Sequence, residues 1–206
     1  MDCRRQRLDT SGCVDRLARS DDAVTRWFLA RHHVVQPHAL VEWVAADRSV
    51  ALCAAHGPNV AILVDSPAQL DTEVRIAAAR NPLTPPEVLA RWVDALTDGA
   101  LQDQLGKELA ANPQTPLRAC LALVRRADSP MMARLLLCRR DVTDEIIDEI
   151  IDGDRSWTKP PARARYASFT WSLAAHAIER LVRDPDPDVR AYVAGRVASS
   201  RLSRAD

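Results

Sequence analysis

The chain has 206 residues, of which 47% are apolar and only 4% aromatic. Ala, Leu and Val dominate the apolar residues, which favours closely packed helices over a β-sandwich. The 28 basic and 28 acidic residues cancel, so no global field attracts nucleic acid or an anionic membrane. No apolar run forms a signal-peptide core or approaches the ~18 residues of a membrane span. We therefore expect a folded, mainly helical protein of the cytoplasm.

Residues 1–20 are rich in arginine and only weakly periodic. We predict that they form an N-terminal cap or a partly disordered segment. The periodic pattern begins at Asp21, and we predict one continuous helical-repeat domain over residues 21–206.

The clearest unit of that pattern runs from Asp71 to Ala95. It predicts a short helix over residues 74–80, a corner over 81–85 and a second helix over 86–95. Such a unit is too small to bury its own apolar face, so it needs neighbours of the same shape. Sliding residues 81–93 along the chain gives similar blocks that start at residues 32, 56, 81, 112, 139 and 170. A truncated unit follows near Val189, which makes about six or seven two-helix units.

The corners carry the motif Asn-Pro-x-Thr-Pro at residues 81–85 and 112–116. Proline disfavours the α conformation at the preceding asparagine, which ends the first helix. We expect the hydroxyls of Thr84 and Thr115 to accept hydrogen bonds from the following helix. Aspartates ahead of the first helices are expected to cap them, and these are Asp47, Asp71, Asp128 and Asp186.

The pattern Val-Arg-x-x-x-Ala-x-Asn-Pro-x-Thr-Pro-x-x-Val-Leu, which starts at Val74, resembles the leucine-rich repeat variant (LRV) family. The resemblance implies a right-handed superhelical solenoid of alternating helices and no general catalytic activity. A HEAT-like array is the nearest alternative. The family's prototype has an N-terminal cysteine cluster that holds an iron–sulfur centre. Cys3 and Cys13 are too few and too far apart to match it, so no cofactor is predicted, although whether they bind a metal stays open.

Residues 152–165 interrupt the repeats with Gly153 and the Pro160–Pro161 pair, which cannot continue a helix cheaply. This breaker segment is a slack connector or a functional insertion. Trp157 lies within it and is the tryptophan that we expect to be exposed, as a partner contact. By contrast, Trp27, Trp43 and Trp92 are predicted to be buried, as are Cys53, Cys120 and Cys138.

Acidic residues cluster at 144–152, where Asp144 and Asp148 share one helix face and Ile146 and Ile150 belong to the opposite stripe. This spacing would suit a metal pair, but an amphipathic helix with a solvated acidic side explains it more simply. The five histidines come without cysteines at zinc-binding spacing. We predict no catalytic residue and no metal site.

Six arginines precede the acidic helix and form the candidate partner surface, together with Trp157. They are Arg118, Arg125, Arg126, Arg134, Arg139 and Arg140. They could pair with the acidic helix beside them, or form a basic ridge for an acidic protein or for nucleic acid. A solenoid usually holds a protein or peptide. We therefore predict a non-enzymatic adaptor, with nucleic-acid binding as the alternative.

Overall fold

The computed structural model describes residues 10–65, 70–96, 104–126, 130–152 and 175–202. Within these ranges the chain forms thirteen helices and no strand, which confirms the all-α prediction. None of the described helices is long and apolar enough to cross a lipid bilayer. The chain divides into two compact units, residues 1–85 and 86–206. The single repeat domain and the right-handed superhelix stay predictions.

Unit 1 has two rows of helices in its described part. Helix α2 packs on α4, α4 packs on α6, and α3 packs on α5, while α1 packs on α2. Each row therefore joins helices that alternate along the chain. The helices are α1 (Thr10–Leu17), α2 (Ala23–His32), α3 (Pro37–Ala46), α4 (Arg48–Ala55), α5 (Val60–Asp65) and α6 (Thr72–Arg80). Helix α1 lies inside the predicted N-terminal cap, of which residues 1–9 are outside the described part.

Aspartates begin the helices of one row in unit 1. Asp47 accepts from the backbone N–H of Ser49 at 2.8 Å, and Asp71 accepts from that of Val74 at 2.9 Å. Each also bonds a side chain of the preceding helix in the row. The Trp27 indole donates to Asp47 at 2.7 Å, and the Arg48 guanidinium donates to Asp71 at 2.5 Å. The two predicted caps are confirmed, and they also tie neighbouring helices together.

Unit 2 repeats the arrangement. Helix α7 packs on α9, α9 on α11 and α11 on α12, while α8 packs on α10 and α12 packs on α13. The helices are α7 (Pro86–Ala95), α8 (Gln104–Ala111), α9 (Leu117–Arg126), α10 (Pro130–Leu137), α11 (Asp144–Asp152), α12 (Ala175–Val182) and α13 (Pro187–Leu202). The first turn of α13 is capped by Asp186, which accepts from the backbone N–H of Val189 at 3.2 Å. Asp128 lies outside the described residues.

The burial of the aromatic residues and cysteines follows the repeat in part. Trp43 and Cys120 are buried, as predicted. Trp27, Trp92 and the cysteines 53 and 138 are only half-buried, so for them the prediction was too strong. The stripe of isoleucines on α11, at 146, 147, 150 and 151, is fully buried. That helix is therefore amphipathic, with its acids on the opposite side.

Candidate functional site

The corners of unit 1 are joined through buried asparagine side chains. The Asn81 amide donates to the backbone oxygens of Ala55 and Gly57, both at 2.9 Å. Its side-chain oxygen accepts from the backbone N–H of Leu83, also at 2.9 Å. The two donated bonds thus connect the corner after α6 with the corner after α4, and the accepted bond stabilises the turn that follows Asn81.

Asn59 plays the same part between the corners after α4 and α2. Its amide donates to the backbone oxygens of Ala30 and His33, both at 2.7 Å, and its side-chain oxygen accepts from Val35 N–H at 2.9 Å. Both asparagines are buried. Because an unpaired buried amide is costly, each corner is held at a defined distance from the preceding one.

In unit 2, an arginine joins the corner after α10 to the corner after α8. Arg139 occupies the repeat position of Asn81, and its side chain is only 5% exposed. It donates to three backbone oxygens of the preceding corner: Asn112 at 2.6 Å, Pro113 at 3.1 Å and Thr115 at 3.0 Å. The Arg139 guanidinium thus joins this corner to the preceding one, as the Asn81 amide does in unit 1.

A buried guanidinium needs a counter-charge, and Asp141 supplies it. The two Asp141 carboxylate oxygens accept from Arg139 at 2.9 and 2.7 Å. These bonds are the main cause of a lowered pKa for Asp141. Arg139 was predicted on a basic surface ridge, and that prediction is corrected: it is an internal brace with its charge neutralised.

The corner threonines also differ from expectation. The Thr84 hydroxyl donates to the backbone oxygen of Ala78 at 2.5 Å, and the Thr115 hydroxyl donates to that of Leu109 at 2.5 Å. Both bonds run to the last turn of the helix before the corner. The sequence had predicted bonds accepted from the helix after it. The Ala78 oxygen also accepts from the backbone N–H of Asn81 at 3.0 Å, so the threonine hydroxyl adds a second bond at the end of α6.

The braced corners of unit 2 enclose an open cleft with a volume of about 550 Å³. Its lining comes from two stretches of chain: Ala111 and Pro113 at the end of α8 and its corner, and Leu135, Cys138 and residues 139–141 at the end of α10 and its corner. The lining is mostly apolar apart from those last residues. Since Arg139 bonds across from one corner to the other, the cleft is already shaped before any ligand binds. We call it the corner cleft.

The other five arginines of the predicted ridge differ in their contacts and exposure. The Arg125 side chain pairs with Glu149 at 3.1 Å and Glu145 at 3.6 Å, which is the mutual pairing that the sequence suggested. Arg126 donates to the backbone oxygens of Val93 at 3.1 Å and of Leu96, and so caps the end of α7. Arg118 and Arg140 are exposed and Arg134 is half-buried, while Trp157 lies outside the described residues. The six arginines therefore do not form one exposed ridge.

Unit 1 has a cleft of its own, of about 450 Å³, between α1 and α3. Charges of both signs line it, among them Asp15, Arg19 and Glu42, together with His38. Its Arg26 is already engaged, since it pairs with Asp21 at 2.7 Å and lies 5.8 Å from the centroid of the Trp43 ring. This mixed lining selects neither an apolar nor a singly charged ligand.

Sequence reasoning missed the apolar walls of the corner cleft, and one signal could have indicated them. An arginine stands where the repeat has asparagine, and an aspartate follows two residues later. In the structure these two residues form the neutralised internal brace. Comparison with family models, with curated proteins and with solved structures finds no match for this chain.

Proposed function

We propose that this protein is a non-enzymatic helical-repeat module of the cytoplasm, similar to LRV or HEAT-like arrays, that binds a segment of another protein. The observation that carries the proposal is the corner cleft. It is apolar and open, and a buried arginine holds its shape. Ligand sites are typically preformed concavities of about 300–1,000 Å³ with mostly apolar walls and few polar groups.

The state of the arginines favours a protein partner over nucleic acid. Arg125 is neutralised by two glutamates, while Arg126 and Arg139 are bound to backbone oxygens. Affinity for nucleic acid comes mainly from basic side chains that are able to neutralise phosphates. A polyanion would have to break these internal bonds before it could use three of the six arginines.

The test is selection from a library of random peptides displayed on phage, with the wild-type protein immobilised. We expect enriched peptides to bind the wild type and to lose binding with Leu135→Gln, which removes part of the apolar wall. Ala111→Gln adds a larger polar side chain at another lining residue of the cleft, which is exposed, and should also reduce peptide binding. Arg118→Gln is the matched control, because Arg118 is exposed and does not line the cleft.

Each result of the peptide selection leads to a different conclusion. Peptides that bind wild type and both cleft variants equally would place binding elsewhere and overturn the proposed site. A library with no enriched peptide would overturn the peptide-binding function itself. Fluorescence anisotropy with a labelled DNA duplex at low salt tests the alternative. Tight binding there that weakens steeply with added salt would favour nucleic acid.

A further inference from the structure

The corner cleft carries more chemical information than its shape. Two consecutive arginines line it in opposite electrostatic states. Arg139 is buried against Asp141, so the pair adds no net charge to the cleft. Arg140 is exposed, and within the described residues it has no acidic partner at ion-pair distance. Among the described residues, the cleft therefore combines apolar walls with the exposed positive charge of Arg140.

We propose that the corner cleft binds an extended internal segment of a partner protein in which a large apolar side chain is flanked by Asp or Glu. This inference rests on the proposed peptide-binding function and specifies its ligand. The apolar side chain would pack between Pro113 and Leu135. The neighbouring carboxylate would accept from the Arg140 guanidinium, a donor that suits carboxylates in its planar, forked geometry.

Asp141 does not cancel this preference, although its side chain is 50% exposed. Both of its carboxylate oxygens accept from Arg139, so its charge is already offset. A basic ligand residue would have to compete with the Arg139 guanidinium for those oxygens. An acidic ligand residue meets Arg140 with no competing acid among the described residues.

The apolar walls also make other classes of ligand for Arg140 less suitable. Phosphate or a nucleic-acid backbone would engage Arg140 but would leave the apolar surface of Leu135 and Pro113 unused. A purely apolar segment would use those walls but would leave Arg140 without a partner. A ligand that uses both features has the two kinds of group within one or two residues of each other. Burial of the apolar group then supplies affinity, and the charge supplies selectivity.

The experiment is a charge reversal read out by peptide selection. The phage library displays segments whose ends are both internal, so that no free terminal carboxylate is present. Wild type should enrich peptides with a large apolar residue flanked by Asp or Glu. Arg140→Glu should enrich apolar residues flanked by Lys or Arg. Arg118→Glu, which changes an exposed arginine outside the cleft by the same charge, should keep the wild-type preference.

Affinity measurements on one enriched synthetic peptide sharpen the result. Arg140→Ala should weaken binding by about two- to fivefold, as expected for an exposed ion pair, whereas Leu135→Gln should abolish it. If selected peptides need Leu135 but show no acidic preference, or keep it in Arg140→Glu, the ligand inference is wrong and the binding function stands. If no peptide depends on Leu135, both proposals fail together.

Discussion

Two corners solve the same packing problem with different chemistry: the corner after α6 in unit 1 and the corner after α10 in unit 2. At the first, a neutral amide joins the corner to the one before it, as Asn81 does at two distances of 2.9 Å. At the second, the equivalent residue is Arg139, which reaches three backbone oxygens and requires Asp141 to balance its charge. An amide leaves no charge to neutralise, so its corner needs no further residue. Arg139 and Asp141 also line part of the corner cleft.

The largest effect should come from removing the charged brace. Arg139→Ala leaves three backbone oxygens without their donor and Asp141 without its partner, and we expect a loss of about 3–5 kcal/mol in unfolding free energy. Urea denaturation followed by circular dichroism measures it. Arg140→Ala, at the adjacent exposed position, should change stability by less than about 0.5 kcal/mol. Equal losses in the two variants would mean that Arg139 is not a brace.

A substitution at Gly57 tests how closely the corner after α4 approaches the backbone at the end of α2. A Cβ atom there would lie 2.5 Å from the backbone oxygen of Arg31 and 2.7 Å from that of Ala30. Because backbone atoms cannot move aside freely, Gly57→Ala should cost about 1–3 kcal/mol or more. Gly195→Ala is the matched control, since a Cβ atom there has no neighbour within 4 Å and the residue lies in helix α13. That variant should be neutral or up to about 1 kcal/mol more stable.

Removing the neutral brace, Asn81, should also lower the free energy of unfolding, but by less than removing Arg139. Asn81→Ala removes one amide and leaves the oxygens of Ala55 and Gly57 unpaired, which should cost about 1–3 kcal/mol. Leu83→Ala is the control at the same corner, where the leucine is 59% exposed, and it should have little effect. Should Asn81→Ala cost as much as Arg139→Ala, the supposed difference between the two braces would be lost.

The smallest effect should depend on pH. Since Arg139 lowers the pKa of Asp141 in the folded state, Asp141 contributes stability above its unfolded-state pKa of about 3.9. That contribution disappears as the pH falls through the lower folded pKa. Asp141→Asn should therefore be less stable than wild type at pH 7, by ~1 kcal/mol, because the Asp141 carboxylate is 50% exposed and solvent screens its ion pair. The two proteins should converge in acid, and a difference that stays constant from pH 7 to pH 2 would contradict this assignment.

Local signals predicted the helices well. The bounds of α7 agree with the prediction, and α6 begins at Thr72 rather than Val74. Proline fixes where these helices start and stop, and Asp47 and Asp71 cap their helices from positions that sequence alone can identify. Such signals act over a few residues, so they can be read from the sequence without knowledge of the tertiary structure.

The site was predicted less well, because it depends on contacts between distant residues. Arg139 looks like a surface charge in the sequence, and only its bonds to Asn112 and Thr115, more than 20 residues away, reveal that it is buried. The walls of the corner cleft come from separate elements, which no local pattern joins. Arg140 is exposed, and its part in partner binding stays a prediction, but its apolar surroundings could not be read from its neighbours in sequence.

The most direct test of the account is an amide NMR titration of the ¹⁵N-labelled protein with one peptide enriched by the selection. We predict that the chemical-shift changes concentrate at residues 111, 112, 135 and 138–141, and that Leu135→Gln abolishes them. Shifts concentrated in unit 1, for example around the exposed side chain of Phe28, which is 55% accessible, would contradict the corner cleft as the binding site.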